Sequence, residues 1–204
     1  MKSYDKLQKH LVIETENVHK KGVRHTGLSG YVCEKLLMED LRKEFRNVKF
    51  DRGIVTFSDK EGHTLRKDML TNQIDIIGYR KHKFKKYDIV VVPNDKVLLC
   101  IEVKKWSYYS EKKLREIKNK LDKLKKRVHR PIFYVAFRYH GSYGKRIENL
   151  KRLRKFLSPH KVYAFSSATQ RNKYPEEDKN FKTYYPPREI ERFFADIREL
   201  VARQ

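Results

Sequence analysis

Two acidic residues stand inside strand-like apolar segments of this 204-residue chain. Asp75 interrupts the sequence QIDIIGY at residues 73–79, and Glu102 lies in LLCIEVKKW at residues 98–106. Burial of a carboxylate is costly unless the group is paired with a cation or binds a metal. These two residues are therefore the first candidates for chemistry.

The second of these segments also carries a lysine beside its carboxylate. Side chains alternate between the two faces of a strand, so Glu102 and Lys104 share one face with Cys100. Two carboxylates supply the hard oxygen ligands that Mg²⁺ takes, and a neighbouring ammonium group can orient a water and offset charge on a reacting phosphate. Asp75, Glu102 and Lys104 together predict metal-dependent phosphodiester hydrolysis. The alternative is a surface ion pair between Glu102 and Lys104, with Asp75 in a turn.

A third acidic residue lies on a helix that is predicted over residues 29–46. Glu34 shares one helical face with Met38, Leu41 and Phe45, and this apolar face is expected to pack on the sheet. Glu34 is therefore a candidate for a catalytic role, as a residue that supports the metal or its bound water. The alternative is a glutamate at the boundary of the core whose carboxylate reaches solvent.

Alternating helices and strands must position these residues. Hydrophobic periodicity predicts a helix, three or four strands, a helix, a strand, a helix, a strand and a closing helix. The predicted strands are 48–57, 73–79, 87–92, 97–106, 131–139 and 162–166, and the predicted helices are 29–46, 110–129, 144–156 and one that begins at residue 187. A loop at 58–71 and a basic turn at 80–86 connect them. This order predicts an α/β fold with a mixed central sheet flanked by helices.

The composition predicts a globular protein rather than a disordered basic tail, because 39% of the residues are hydrophobic. We expect a single domain over residues 1–204, with an N-terminal arm at 1–27, a core at 28–167 and a C-terminal extension with a helix at 168–204. Two cysteines are too few for a disulfide framework or a four-cysteine zinc site, so a cytoplasmic protein is expected. Apolar runs such as 97–101 are too short to span a membrane, and no membrane association is expected.

The net charge of +23 predicts a polyanion as the partner, because such a potential attracts nucleic-acid phosphates. Residues 112–130 alone contain ten basic and two acidic residues. A solvated helix surface without a ligand is the alternative. The candidate nucleic-acid-binding residues are Lys112, Lys113, Arg115, Lys118, Lys125, Lys126, Arg146 and Arg152.

These residues and their order resemble the PD-(D/E)xK nuclease superfamily, whose restriction-endonuclease-like core has the order αβββαβ. Asp75 matches the first acidic residue of the family's motif, Glu102-Val103-Lys104 matches (D/E)xK, and Glu34 matches the acidic residue of the first helix. The chain is similar to a divergent branch of this superfamily that is found in prokaryotes and their mobile elements. It departs from the motif at Ile74, where the family name has a proline.

The resemblance implies an endonuclease that depends on Mg²⁺ or Mn²⁺ and cleaves DNA, with RNA as the other possible substrate. Asp75, Glu102 and the Val103 carbonyl would bind the metal, and Lys104 would position or deprotonate the attacking water. Gln73 is a candidate for a contact with water or phosphate, or for a structural hydrogen bond. Cleavage would be structure-specific or directed by a partner protein or a second copy in a homodimer. The alternatives are a nucleic-acid-binding module with the same fold and no turnover, and a basic ribosome-associated protein.

Overall fold

The computed structural model describes residues 26–57, 69–82, 84–86, 89–104, 110–137, 143–165 and 189–203. These residues form one seven-stranded mixed sheet with helices on both faces. The helices are α1 (Thr26–Glu44), α2 (Glu111–Val128), α3 (Tyr143–Leu157) and α4 (Glu189–Ala202). The strands are β1 (Lys49–Thr56), β2 (Ile74–Tyr79), β3 (Phe84–Lys86), β4 (Ile89–Pro93), β5 (Val97–Lys104), β6 (Ile132–Phe137) and β7 (Lys161–Phe165).

The strand order of the sheet is β3-β4-β1-β2-β5-β6-β7. Strands β1, β2 and β5 form an antiparallel unit, and β6 and β7 continue the sheet in parallel with β5. The predicted α/β fold is confirmed, and α1, β1, β2, β5, α2 and β6 supply the predicted αβββαβ order. In the described ranges, no helix has the length and apolar character needed to cross a membrane.

One prediction about the connections was wrong. The stretch 80–86, predicted as a basic turn, contains the strand β3, which pairs antiparallel with β4 at the edge of the sheet. An edge strand has one neighbour and tolerates charged, exposed side chains, so it lacks the apolar signal of a core strand. Phe84, with 54% of its surface exposed, and Lys85 fit this description. Residues 58–68, in the predicted loop, and 105–106, at the end of the predicted strand 97–106, lie outside the described residues.

Two apolar cores lie on opposite faces of the sheet. On one face, α1 and α4 pack against Leu99, Ile101 and Val103 of β5. On the other face, α2 and α3 pack against Cys100 and the residues of β6 that point the same way. The predicted alternation along β5 is therefore confirmed. α4, from the predicted C-terminal extension, shares its core with α1.

A buried acidic residue of β1, Asp51, connects this strand to α1, β2 and β3. Its carboxylate accepts hydrogen bonds from Arg42 Nη2 at 2.7 Å, Tyr79 Oη at 2.6 Å and Lys85 Nζ at 2.8 Å. Burial alone would raise the pKa of Asp51, but the hydrogen bonds from Lys85 and Tyr79 outweigh it and lower the pKa. The carboxylate of Asp51 is therefore fully occupied by structural contacts.

Candidate active site

The strand β2 is irregular where it carries Asp75. The pairing of β1 with β2 shifts between Asp51 and Gly53, so that Asp75 and Ile76 together oppose Arg52 alone. A β-bulge of this kind turns a side chain away from its regular direction and is frequent beside functional sites. Here it accompanies a contact between Asp75 and the neighbouring strand β5.

The Lys104 ammonium group lies among three oxygen atoms at the end of β5. Its Nζ donates hydrogen bonds to Glu102 Oε1 and, at 3.1 Å, to the Val103 carbonyl, and it lies 3.5 Å from Asp75 Oδ2. Asp75 Oδ2 also accepts a hydrogen bond from the Val103 N–H at 2.8 Å. The structure therefore brings together Asp75, Glu102, Val103 and Lys104, the residues that the sequence singles out.

The oxygens around Lys104 suit a divalent cation. Mg²⁺ takes oxygen ligands, and it is usually held by one or two carboxylates while keeping several waters. Across the described ranges, no three His, Cys, Asp or Glu side chains are grouped as metal ligands. The third oxygen here belongs to a main-chain carbonyl instead. Asp75, Glu102 and the Val103 carbonyl form a donor set that fits Mg²⁺ or Mn²⁺, at the place where the structure holds the Lys104 ammonium.

Burial and neighbouring carboxylates raise the pKa of two acidic residues of the site, Asp75 and Glu34. Burial raises the pKa of Asp75, and the nearby Glu102 carboxylate raises it further, against the opposing effects of Lys104, the Val103 N–H and Lys120. Burial and the charge of Asp75 raise the pKa of Glu34 from 4.5 to about 7, against the opposing effects of Arg52 and Lys104. A cation added to this cluster would lower both pKa values and relieve the repulsion.

Glu34 is buried, with 7% of its surface exposed, and brings a third carboxylate to the cluster from α1. Among the described residues, its Oε2 has no hydrogen-bond partner, but it lies 3.5 Å from Arg52 Nε in an ion pair. When the Gln73 amide is oriented with its oxygen toward Arg52, that oxygen accepts a hydrogen bond from Nη2 at 2.8 Å. In that orientation Gln73 makes a structural hydrogen bond, whereas Glu34 Oε2 is ion-paired with Arg52 and accepts no hydrogen bond from the residues that the structure describes.

Lys120 of α2 belongs to the site but is absent from the sequence-based candidates. Its Nζ donates to both carboxylate oxygens of Glu102, at 2.6 and 2.7 Å, and the Glu102 side chain is only 2% exposed. A helix that follows a strand must pack back onto the sheet, so its cations at the border of the apolar stripe lie near the strand. Lys120 directly precedes Leu121, a buried residue of that stripe, and this adjacency is the signal that could have identified it.

The predicted nucleic-acid-binding residues lie on α2 and α3. Lys112, Arg115 and Lys126 are exposed, and Arg146 belongs to α3, although its side chain lies outside the described part of the structure. The other four donate hydrogen bonds within the protein: Lys113 to Glu116, Lys118 to the Ser158 carbonyl, Lys125 to the Arg130 carbonyl and Arg152 to Glu111. Their assignment to nucleic acid stays a prediction.

The sheet order and helix placement define the restriction-endonuclease-like α/β fold, the fold of the PD-(D/E)xK nucleases. Solved structures of NucC share it. NucC from E. coli MS115-1, in a cAAA-bound form, has a TM-score of 0.55 and 17% sequence identity, over 80% of this chain and 74% of that chain. NucC from P. aeruginosa ATCC27853, also cAAA-bound, has a TM-score of 0.51 and 16% identity, over 74% of this chain and 72% of that chain.

Comparison of sequences adds no relative, since no protein-family model and no curated protein match the chain. The likeness to NucC shows a common fold, and the resemblance inferred from the sequence is confirmed at that level. The chemistry of this chain must be argued from its own residues.

Proposed function

We propose that this protein is a metal-dependent nuclease that hydrolyses phosphodiester bonds of DNA. The observation that carries the proposal is the convergence of Asp75 Oδ2, Glu102 Oε1 and the Val103 carbonyl on the Lys104 ammonium. Binding alone does not account for this arrangement, since phosphates are attracted by cations and repelled by carboxylates. The likeness of the fold to that of NucC is consistent with the proposal.

A bound Mg²⁺ or Mn²⁺ would supply an activated water and would offset the charge that develops on the phosphate. Asp75, Glu102 and the Val103 carbonyl would hold the ion. Lys104 would exchange its contacts with these oxygens for contacts with the attacking water or the scissile phosphate. Glu34 Oε2, which is ion-paired with Arg52, would also accept a hydrogen bond from a water in the same site.

The net charge of +23 supports a nucleic acid as the partner, and DNA is the substrate that the resemblance implies. We also propose that specificity comes from the shape of the DNA, from a partner protein or from a second copy of the chain. A homodimer would bring two sites to the two strands of a duplex. A cytoplasmic location remains our expectation from the sequence.

The test is incubation of the purified chain with supercoiled, linear, branched and single-stranded DNA, and with RNA. Each reaction is run with Mg²⁺, with Mn²⁺ and with EDTA, for the native chain and for Asp75→Asn, Glu102→Gln and Lys104→Ala. We expect cleavage by the native chain only when the metal is present, and a loss of roughly 10²-fold or more in each variant. Binding of Mn²⁺, followed by calorimetry, should be lost in Asp75→Asn and Glu102→Gln.

The matched control is Glu116→Gln, which neutralises an acidic residue of α2 whose side chain is 51% exposed and pairs with Lys113. It should cleave like the native chain. Metal-dependent cleavage that persists in Asp75→Asn, Glu102→Gln and Lys104→Ala alike would refute the site.

One observation favours a second function, a nucleic-acid-binding module without turnover. Lys104 and Lys120 both contact the Glu102 carboxylate, so two ammonium groups satisfy it without a metal. That module would bind the same substrates with equal affinity in Mg²⁺ and in EDTA and would cleave none. Binding restricted to RNA would instead favour the ribosome-associated protein.

A further inference from the structure

A pocket of about 360 Å³ opens beside the Glu102 carboxylate. One wall is the chain that enters β2, at residues 71–74, and the other is the stretch 120–127 of α2. Glu102 and Lys120 belong both to the wall of this pocket and to the candidate active site. A ligand in the pocket therefore lies directly beside the proposed reaction centre.

The charge of the pocket suits an anion. Four basic side chains line it against the single carboxylate of Glu102, and they are Lys120, Lys123, Lys126 and Arg127. All four are exposed; Lys120 contacts Glu102, and Arg127 lies over the Phe57 ring at 4.8 Å. We call the other two, Lys123 and Lys126, the rim lysines. The rim lysines therefore provide positive charge that phosphate groups can reach.

The interior of the pocket also presents apolar surface. Ile74, with 2% of its surface exposed, and the half-buried Leu124 form this part of the wall, and the exposed side chains of Asn72 and Gln73 lie at the entrance to β2. An apolar wall with a few polar groups and a cationic rim is the chemistry that binds a base together with its phosphates. The volume lies within the range of pockets for small ligands, roughly 300–1,000 Å³.

We propose that this pocket binds an unpaired nucleotide of the strand that is cut, next to the scissile phosphate. The proposal rests on the proposed nuclease function and narrows its substrate to DNA with single-stranded or unpaired positions. A base inside a stacked duplex cannot enter a pocket without leaving the stack, which costs free energy that an unpaired base does not pay. The base would lie against the half-buried Leu124, and its phosphates would contact Lys123 and Lys126.

Equilibrium binding in EDTA tests the pocket without cleavage. Fluorescence anisotropy would compare the binding of a labelled single strand of about 20 nucleotides with that of the duplex of the same sequence. A strand of this length is slightly longer than the stretch of roughly 4–16 nucleotides that one single-strand-binding domain covers. The test variants are Lys123→Gln/Lys126→Gln, which removes two rim charges, and Asn72→Trp, which fills the entrance. The matched controls are Lys43→Gln/Lys49→Gln, two exposed lysines away from the pocket, and Asn119→Trp on the exposed side of α2.

We expect the native chain to prefer the single strand. Asn72→Trp should weaken single-strand binding by roughly 10-fold, the loss of about one stacked base, with little effect on the duplex. Lys123→Gln/Lys126→Gln should reduce the salt slope for the single strand by about 1.4, since each lost phosphate contact contributes about 0.7. The controls should keep the native preference.

Equal changes in the test and control variants would overturn the proposal. AMP and ATP would also be tested as competitors of the labelled strand. Tighter binding of either free nucleotide than of the strand would likewise overturn the proposal. The outcome is independent of the nuclease proposal, because the cleavage assays with Mg²⁺ judge that function. A chain that cleaves but shows no pocket-dependent preference loses only this inference, and a chain that shows the preference but never cleaves loses the nuclease function.

Discussion

At the scale of single residues, the site is defined by the balance between carboxylates and ammonium groups. Glu102 is the centre of this balance, because its nearly buried carboxylate is held by Lys104 from its own strand and by Lys120 from α2. Asp75 and Glu34 add charges that burial makes costly. Lys104 and Lys120 therefore offset the repulsion among the carboxylates, and a metal ion at the proposed site would compete with them for Glu102.

Substitution of Lys120 tests this balance. In Lys120→Met, the Glu102 carboxylate loses two hydrogen bonds and keeps only Lys104, so we expect the free energy of unfolding in EDTA to fall by roughly 1–3 kcal/mol. Without the competing ammonium group, Mn²⁺ should raise the melting temperature of this variant more than that of the native chain. Thermal unfolding with and without Mn²⁺ measures both effects. Lys123→Met, on the same helix, is the control for stability, and an equal loss in both variants would contradict the prediction.

Glu34 should make stability depend on pH. Its pKa is about 7 in the folded chain, against an ordinary value of 4.5, so the folded state holds the proton that the unfolded state releases between these two values. Glu34 therefore costs stability as the pH rises through this window, and the full cost is present above the folded pKa. In metal-free buffer, Glu34→Gln should gain on the order of 1–2 kcal/mol relative to the native chain between about pH 5 and about pH 8.

Urea unfolding of both proteins across this range measures the difference. Glu116→Gln, at an exposed position of α2, is the control and should follow the native chain. If the free energy of unfolding changes with pH equally in Glu34→Gln and in the native chain, the pKa of Glu34 is ordinary.

At the scale of elements, the close approach of β1 and β4 supports the irregular part of the sheet. Gly53 pairs with Val90 in the parallel ladder, directly after the residue that opposes the β2 bulge. A Cβ atom at position 53 would lie 2.1 Å from the Val90 carbonyl oxygen. Main-chain atoms of a strand that is paired on both sides cannot move away cheaply, so glycine is required here.

Two glycine substitutions, with opposite expected effects on the free energy of unfolding, test this geometry. Gly53→Ala should lower the free energy of unfolding by more than about 2 kcal/mol, because the new methyl group collides with β4. Gly30→Ala is the matched control, since nothing lies within 4 Å of a Cβ atom at that position of α1. It should stabilise the chain by roughly 0.5–1 kcal/mol through the higher helix propensity of alanine. Urea unfolding distinguishes the two, and a Gly53→Ala variant as stable as the native chain would exclude the close β1–β4 contact.

At the scale of the whole molecule, the basic residues differ in the contacts that they make. Lys113, Lys118, Lys125 and Arg152 make hydrogen bonds within the protein, whereas Lys123 and Lys126 are exposed beside the proposed active site. The net charge of +23 already subtracts the acidic partners of Lys113 and Arg152, so the other basic residues carry this excess. This excess predicts binding that is strongly dependent on salt.

The salt dependence of DNA binding measures that surface. If about five phosphates of a duplex are contacted, affinity in EDTA should fall by roughly 10²–10³-fold between about 50 and 200 mM salt. Filter binding or anisotropy over this range gives the slope. Lys43→Gln/Lys49→Gln should leave the slope nearly unchanged, because those lysines lie away from the pocket. Affinity that is independent of salt would exclude phosphate contacts as the source of binding.

The helices, the strands and the faces on which their side chains lie can largely be predicted from the sequence. The apolar spacing of Leu114, Ile117 and Leu121 predicts α2, and the alternation along β5 places Glu102 and Lys104 on one face. The order of the elements, together with the matching motif, predicts the fold. These features depend on neighbouring residues and on the periods of helices and strands, so one chain segment is enough to reveal them.

Only the tertiary structure decided how the segments meet. The bulge at Asp75, the edge strand β3 and the contact of Lys120 with Glu102 depend on the register between strands and on the position of α2 along the sheet. An apolar stripe determines which face of a helix is buried, but it leaves the helix free to slide or rotate slightly against the strand. Packing across the whole core selects one position, and that selection brings Lys120 and the pocket to Glu102.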